Sequence, residues 1–181
     1  MQLKAYNDFI DNRREDFDFA SFNDVDEFIC LKQHASINDF LSNYIDVYGI
    51  GLSWRMFGDN GLTEPINNNY SAIDRFTRGG KKLNKHIKTI LNLKMSQNMF
   101  HFVNPHFIDA SLKFNVILDA DKKHFINGPF DFQASTEIAW INHYYCKTKV
   151  EFAQKIANGR ADAPNGGKDC MRTFAHFDEA N

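Results

Sequence analysis

The stretch FNDVDEFIC, residues 22 to 30, constrains the fold strongly because it sets three carboxylates between apolar residues. Asp24, Asp26 and Glu27 lie within four positions, and like charges this close repel one another unless a cation or water separates them. Phe22 and Phe28 flank the group, although a solvated surface turn does not need apolar neighbours on both sides. The stretch is therefore either an acidic turn, the commoner outcome for an arbitrary D-x-D pattern, or a site that holds a cation.

The residues before this stretch help to decide between an acidic turn and a cation site. FDFASF, residues 17 to 22, is a short aromatic-rich strand candidate. If that strand continues through Val25, Asp24 and Asp26 point the same way at its end, where α/β sheets place ligand sites. Two carboxylates on one side suit Mg²⁺ or Mn²⁺, which complete their coordination with water and substrate phosphates.

Apolar periodicity predicts further helices and strands along the chain. Helices are predicted over residues 2–14, 36–48 and 148–159, the last with a Thr148/Glu151 capping box and a stop at Gly159. Besides 17–22, strands are predicted within residues 50–57, 111–123 and 136–147, and 58–70 is predicted to be a loop. This mixture indicates an α/β fold with a mixed sheet and flanking helices.

Composition limits the broad class. The 181 residues suit one domain, and a net charge of −2 does not favour a general nucleic-acid binder. Three cysteines without a CxxC pair argue against a disulfide scaffold or a cysteine zinc site. The first residues carry no apolar signal region, so we expect a cytoplasmic protein.

Histidines and a basic stretch add further candidates. His106 and His143 each fall at an expected strand end, although a lone histidine is more often a core or surface residue than a ligand. The basic stretch, residues 75 to 88, is either a solvated face or a patch that meets phosphates or an anionic acceptor. The sequence contains no GxGxxG, GxxxxGK[ST] or GxSxG motif, so those three chemistries have no support.

Several segments occur together in an order typical of one enzyme group: KAYNDFI, FNDVDEFI, GLSWRMFGDNG, AIDRFTR, NPHF, INGPF and INHYYCKTKVEFAQKIANGRAD. In this order they resemble the second half of the family 2-like and family 92-like glycosyltransferases, which have the GT-A fold. That group carries a D-x-D-E-F motif, a W-x-x-F-G segment and an N-H-Y-x-x-K-S-x-x-E-F helix start. The resemblance extends from about residue 3 to residue 162, and Thr148 stands where the family has Ser.

The resemblance assigns roles to residues that match the family pattern. The implied metal ligands are Asp24 and Asp26, with His106 or His143 as a later metal or diphosphate contact. The implied general base is Asp74, with Asp59 second. The residues implied to bind substrate are Trp54, Phe57, Gly58, Arg75 and Lys147.

The resemblance also implies a reaction and its partners. It implies a metal-dependent transfer, with Mn²⁺ or Mg²⁺, of a sugar from a nucleotide-sugar donor, UDP-sugar first, to a glycan or polysaccharide acceptor. Residues 1–162 would form a partial GT-A domain without the amino-terminal βαβ half, and 163–181 an irregular tail. Nucleic acid is not an expected partner, and the location would be cytoplasmic or peripheral at the inner face of the membrane.

Two alternatives remain open. The first is a non-catalytic remnant or binding subunit, whose sheet is completed by a second copy or by a partner chain. The second, weaker alternative is a metal-dependent phosphohydrolase that uses the same acidic turn.

Overall fold

The computed structural model describes residues 2–65, 70–96, 100–109, 115–159 and 173–180, and within these ranges it shows an α/β arrangement. The strands are β1 (Phe19–Ser21), β2 (Glu27–Leu31), β3 (Gly49–Met56), β4 (Asn84–Asn92), β5 (Ile117–Asp119), β6 (Phe125–Ile126) and β7 (Ala139–His143). The helices are α1 (Gln2–Arg13), α2 (Ile37–Leu41), α3 (Ala72–Arg75), α4 (Leu93–Ser96), α5 (Lys149–Asn158) and α6 (Phe174–Ala180), with 3-10 turns at Arg14–Asp16 and Ser42–Tyr44.

The strands form one seven-stranded mixed sheet. The path runs β1-β4-β3-β5-β6, and β7 joins β3 to β2. Strand β3 is antiparallel to β4, while on its other side it runs parallel first to β5 and then to β7. The change of neighbour falls between Gly51, which is opposite Asp119, and Trp54, which is opposite Ile141. The sheet therefore splits next to the carboxyl end of β5.

Apolar side chains pack on both faces of this sheet. One cluster joins Ile10 of α1 to Ile87 and Leu91 of β4, and the predicted apolar face of α1 packs here through Leu3 and Tyr6. The other cluster joins residues of α2 and its 3-10 extension to the sheet, with its buried members Phe40, Tyr44, Ile50, Leu52, Ile90, Ala120, Ala139 and Ile141. Successive side chains of β4 point to opposite faces of the sheet, so this strand, which is buried on both faces, contributes to both clusters.

The helix caps predicted from the sequence are present in the structure. Thr148 and Glu151 form the reciprocal capping box of α5, and Gly159 ends this helix with a φ of 68°. Ser36 accepts a hydrogen bond from the Asp39 backbone and so caps α2. The helix predicted over 36–48 is nevertheless shorter than expected, and Ile45 is exposed instead of buried, because the chain turns away after Tyr44.

One strand was missed and one prediction is wrong in part. No strand was predicted over the basic stretch, yet its last residues start β4, the longest strand described. The tail was predicted to be irregular, yet Phe174–Ala180 is helical and Phe177 packs on Phe152 of α5 at 5.3 Å between ring centroids. Residues 160–172 of that tail lie outside the described ranges. Within the described ranges, none of the helices has the length and apolar character that a bilayer crossing requires.

The close approach of β3 and β4 gives a stability prediction. A Cβ atom at Gly49 would lie 2.7 Å from Ile117 Cδ1 and 2.9 Å from the Ile90 backbone oxygen, which cannot move without disturbing the ladder. We expect Gly49→Ala to lower the free energy of unfolding by about 1–3 kcal/mol, measured by urea denaturation. Gly80→Ala is the matched control, because its Cβ would meet nothing closer than 3.4 Å and should be close to neutral. Equal stability of the two variants would contradict the packing described here.

Candidate functional site

The acidic stretch forms a turn between two strands. Strand β1 ends at Ser21 and β2 starts at Glu27, so the expectation that a strand continues through Val25 is wrong. The Glu27 backbone N–H donates to the Asp24 carbonyl at 3.0 Å, and the Asp24 N–H donates to Glu27 Oε2 at 2.9 Å. These reciprocal bonds close the turn and leave Val25 exposed at its tip. Asp24 and Asp26 consequently meet different partners.

Lys88 of β4 lies beside the turn and balances two of its carboxylates. Its Nζ atom is 3.4 Å from Asp24 Oδ2 and 3.4 Å from Glu27 Oε2. The side chains of Lys88 and Glu27 are 1% and 0% exposed, whereas that of Asp24 is 48% exposed. Burial raises the pKa of Glu27 to about 7, even though the Lys88 charge acts in the opposite direction. The Glu27 carboxyl group therefore changes its protonation state near neutral pH.

Asp26 faces a second set of partners. Lys155 of α5 donates to Asp26 Oδ2 at 3.0 Å and to the Tyr145 carbonyl at 3.1 Å. His143, at the end of β7, places Nε2 at 3.7 Å from Asp26 Oδ1. Burial is the largest single effect and works to raise the pKa of Asp26, but the Lys155 charge and hydrogen bond together with the neighbouring charges lower that pKa overall. Lys147 adds to this lowering of the Asp26 pKa, which places its charge near the same carboxylate.

Three histidines surround Trp54 of β3. The centroid of the indole is 5.0 Å from the ring of His86, 5.1 Å from that of His106 and 4.3 Å from that of His143. Burial is the main cause that lowers the pKa of each, to about 4 for His106 and about 3 for His143. All three imidazoles are neutral at neutral pH, the state in which imidazole binds metals.

The tautomer of His106 follows from its partner. Its Nδ1 lies 2.9 Å from the Ile87 carbonyl oxygen, which can only accept a hydrogen bond, so Nδ1 carries the proton. Nε2 of His106 therefore keeps its lone pair. Buried polar atoms without a hydrogen-bond partner also gather here: Glu27 Oε1, Trp54 Nε1 and His143 Nδ1. Such atoms are uncommon in folded proteins, and others occur among the described residues at Arg14, Ser53, Arg75 and Asp121, so these three support a functional site only together with the geometry.

The arrangement fits a divalent cation only in part. Asp26 Oδ1 and His143 Nε2 are 3.7 Å apart, so a small shift would allow both to bind one ion. Within the described part of the chain, however, no group of three His, Cys, Asp or Glu side chains has an arrangement that could hold a metal ion. A cation here would take Asp26 and His143 from the protein and its other ligands from water or substrate oxygens, as Mg²⁺ usually does. The predicted partner Asp24 is turned towards Lys88 instead.

The remaining predicted residues lie in three places. Phe57 stacks on Tyr144 with ring centroids 4.6 Å apart, and the Gly58 N–H donates to the Arg78 carbonyl, so both shape the loop after β3. Asp59 accepts a bond from the Gly61 N–H at 2.7 Å. The final two, Asp74 and Arg75, lie in α3.

The contacts of α3 are structural ones. The Asp74 carboxylate completes a capping box with Ser71, accepting from its hydroxyl at 2.7 Å. Arg75 makes a bidentate pair with Glu151 of α5, at 3.0 and 2.8 Å, which ties the two helices together. No described contact joins either residue to Asp26 or His143. Their assignment as general base and substrate-binding residue stays a prediction.

Sequence reasoning missed the residues that balance the acidic turn. Lys88 lies in the basic stretch, and neither Lys155 nor His86 was assigned a role from the sequence. The β-branched residues Ile87, Thr89 and Ile90 favour a strand over residues 84 to 92, and this signal could have placed Lys88 inside the sheet. No local signal identifies Lys155, because its contact with Asp26 joins residues 129 positions apart.

Comparison with known proteins adds no assignment. No protein-family model matches the chain, and a search of curated proteins finds no match.

The buried Glu27 gives a pH prediction. Its pKa is raised in the folded state, so the folded protein binds more protons than the unfolded chain between about pH 4.5 and 7, and stability falls as pH rises through this window. Glu27→Gln mimics the protonated form, so we expect it to match the wild type near pH 5. At pH 8 it should exceed the wild type by roughly 3 kcal/mol, since one pKa unit is 1.36 kcal/mol.

The measurement is urea denaturation of both proteins from pH 5 to pH 8. The difference between them isolates Glu27, because the histidines with lowered pKa are common to both proteins. Glu137→Gln is the matched control at an exposed glutamate. A wild-type to Glu27→Gln difference that is the same at every pH would overturn the pKa assigned to Glu27.

Proposed function

We propose that this chain carries the metal-binding and diphosphate-binding part of a glycosyltransferase that uses a nucleotide-sugar donor. The observation that supports the proposal best is the meeting of Asp26 with neutral His143, with Lys155 and Lys147 close by. Carboxylate and imidazole donors beside ammonium groups suit a divalent cation on a diphosphate. The ordered motifs of the sequence support the same reaction.

Each residue has a proposed task. Asp26 and His143 would bind Mn²⁺ or Mg²⁺, which acts as a Lewis acid on the diphosphate when bound. Lys155 and Lys147 would face phosphate oxygens and stabilise the negative charge that grows on the leaving diphosphate. Lys88 would hold the acidic turn in place through its contacts with Asp24 and Glu27.

The acceptor side of the proposal involves other residues. Trp54, Phe57 and Gly58 are the proposed acceptor-side segment, and UDP-sugar and a glycan remain the proposed donor and acceptor. A carboxylate must take the proton of the acceptor hydroxyl. Asp74 and Asp59 remain the proposed bases, and Asp74 would have to leave its capping bond to Ser71 in order to act.

A second candidate function is a binding subunit without catalysis. The position of the lysines favours it, because Lys155 at 3.0 Å from Asp26 supplies the positive charge that a metal would otherwise supply. Each of β1 and β2 pairs with one strand among those described, so each offers an outer edge that a partner chain or a second copy could extend.

The deciding experiment is donor binding. We expect the protein to be stabilised in thermal unfolding by UDP- or GDP-sugars in the presence of Mn²⁺, and less so with chelator. Asp26→Asn should weaken Mn²⁺ binding, measured by electron paramagnetic resonance, by about tenfold or more. His143→Gln should do the same, because it removes the imidazole donor.

Asp46→Asn, at an exposed aspartate, is the matched control and should bind Mn²⁺ as the wild type does. Sugar transfer to a glycan by the wild type would exclude the non-catalytic subunit. Absence of any nucleotide-sugar effect, together with Mn²⁺ binding that Asp26→Asn leaves unchanged, would overturn the glycosyltransferase proposal.

Substitution of Asp74 has two effects that can be measured separately, because this residue caps α3 and is also the proposed base. Asp74→Asn should lower the free energy of unfolding by about 1 kcal/mol because it weakens the capping box. If Asp74 is also the base, the variant loses transfer while it keeps donor binding. Ser71→Ala is the matched control, since it removes the same cap and leaves the carboxylate. Equal transfer rates in the two variants would exclude Asp74 as the base.

A further inference from the structure

A second group of acidic side chains lines a cavity at the carboxyl end of β5. Asp119 ends this strand, Asp121 follows in the turn, and Asp131 comes after β6. Their side chains are 7%, 3% and 4% exposed, respectively. Ser53 of β3 also lines the cavity, which lies where β3 changes its parallel partner from β5 to β7. Open α/β sheets bind ligands at such places.

The group holds more negative than positive charge. Within the described residues, two side chains form ion pairs with it. Lys123 places Nζ 3.0 Å from Asp121 Oδ2, but the Lys123 side chain is 64% exposed, so water weakens this pair. His124 lies between the other two carboxylates, with Nε2 2.8 Å from Asp131 Oδ1 and Nδ1 3.5 Å from Asp119 Oδ1. Three buried carboxylates therefore face at most two positive charges, one of them in solvent.

Hydrogen bonds occupy most of the carboxylate oxygens near the turn. Asp119 Oδ1 accepts from the backbone N–H groups of Lys123 and His124, both at 2.7 Å. Asp119 Oδ2 accepts from the Asp121 N–H at 3.1 Å. Asp121 Oδ2 accepts from the Ser135 hydroxyl and from Lys123. These oxygens are committed to holding the turn, and Asp121 Oδ1 is not among them.

Two buried polar atoms of cavity-lining residues have no hydrogen-bond partner among the described residues. They are Asp121 Oδ1 and Ser53 Oγ. Ser53 is 4% exposed and belongs to β3, so it is an indication of a ligand that is independent of the acidic turn. Burial of an unpaired hydroxyl or carboxylate oxygen costs free energy. A bound water or ion is the ordinary explanation of such atoms.

We propose that this cavity binds one monovalent cation, Na⁺ or K⁺, through Asp121 Oδ1 and Ser53 Oγ, with water completing the coordination. The cavity has a volume of about 10 Å³, roughly that of one water-sized sphere, so it admits an ion and excludes an organic cation. A neutral water molecule would pair with both atoms but would leave the excess negative charge unbalanced. The site includes neither Asp26 nor His143 and is independent of the proposed transfer.

The available ligand atoms determine the class of cation. Hard cations take oxygen ligands, whereas softer metals prefer imidazole or thiolate, and both nitrogens of His124 already face carboxylates. Asp121 Oδ1 is the one buried carboxylate oxygen of the group without a hydrogen bond in the described part of the chain. No three described His, Cys, Asp or Glu side chains are arranged to hold a metal ion. One anionic ligand therefore suits a monovalent cation better than Ca²⁺, whose sites supply several carboxylates.

The test is thermal unfolding in NaCl, KCl or choline chloride at equal ionic strength, because choline is too large for the cavity. At about five times the dissociation constant, we expect Na⁺ or K⁺ to raise the wild-type Tm by about 2–4 °C over choline. Ser53→Ala should abolish this difference. In choline, Ser53→Ala should be at least as stable as the wild type, because the hydroxyl has no partner to lose. Broadening of the sodium NMR resonance by the wild type, but not by Ser53→Ala, measures binding directly.

Matched controls separate a bound cation from general salt effects. Ser96→Ala removes a buried hydroxyl that donates to the Leu93 carbonyl, outside the cavity, and should keep the wild-type salt difference. Asp121→Asn should lose the difference, and Asp46→Asn, at an exposed aspartate, should keep it. Lys123→Gln should strengthen Na⁺ or K⁺ binding by about twofold or more, because the ammonium group no longer competes for Asp121.

Equal Tm values in the three salts, or a salt difference that Ser53→Ala retains, would overturn the proposal. Stabilisation by Ca²⁺ or Mg²⁺ but not by Na⁺ or K⁺, lost in Ser53→Ala, would also overturn it, in favour of a divalent site. The experiment contains neither Mn²⁺ nor a nucleotide sugar. Its failure would therefore leave the glycosyltransferase proposal standing, and failure of the donor-binding experiment would leave this cation site standing.

Discussion

The buried ammonium group of Lys88 is the constraint on which the acidic turn depends. A lysine that is 1% exposed needs negative charge beside it. Asp24 Oδ2 and Glu27 Oε2 each lie 3.4 Å from its Nζ atom, so Asp24 still faces the ammonium when Glu27 is protonated. Because Lys88 belongs to the central strand β4, its position is fixed by the ladder to β3. The turn between β1 and β2 closes around this charge, and that closure decides which carboxylate remains for other chemistry.

Asp26 is the carboxylate that remains. It projects away from Lys88 towards Lys155 and His143, so the two aspartates of the D-x-D pattern have different partners. The result is one internal ion pair that organises the turn and one carboxylate–imidazole pair whose side chains are at most 12% exposed. A cation bound by both aspartates would have to compete with Lys88 for Asp24. The geometry therefore favours a cation site built on Asp26 and His143.

Local signals predicted the local structure well. The capping residues Ser36 and Thr148 and the stop at Gly159 each act within a few positions, so the sequence alone identifies them. The class of the fold followed from the mixture of strand and helix patterns. Strand β4 was missed because its first residues are basic and were assigned to a charged stretch, although tertiary burial overrides that composition. The contacts of Asp24 with Lys88 and of Asp26 with His143 depend on sheet topology, which short-range patterns do not encode.

The split of the sheet explains why this topology matters. Strand β3 pairs with β5 through Gly51 and with β7 from Trp54 onward, so the change of partner brings β7 beside Trp54. Had β3 stayed paired with β5 along its length, His143 would not contact the Trp54 indole. Strand β7 pairs with β2 on its other side, and this pairing puts Asp26 next to His143. Both the carboxylate–imidazole pair and its contact with Trp54 thus follow from one irregularity in the pairing of β3.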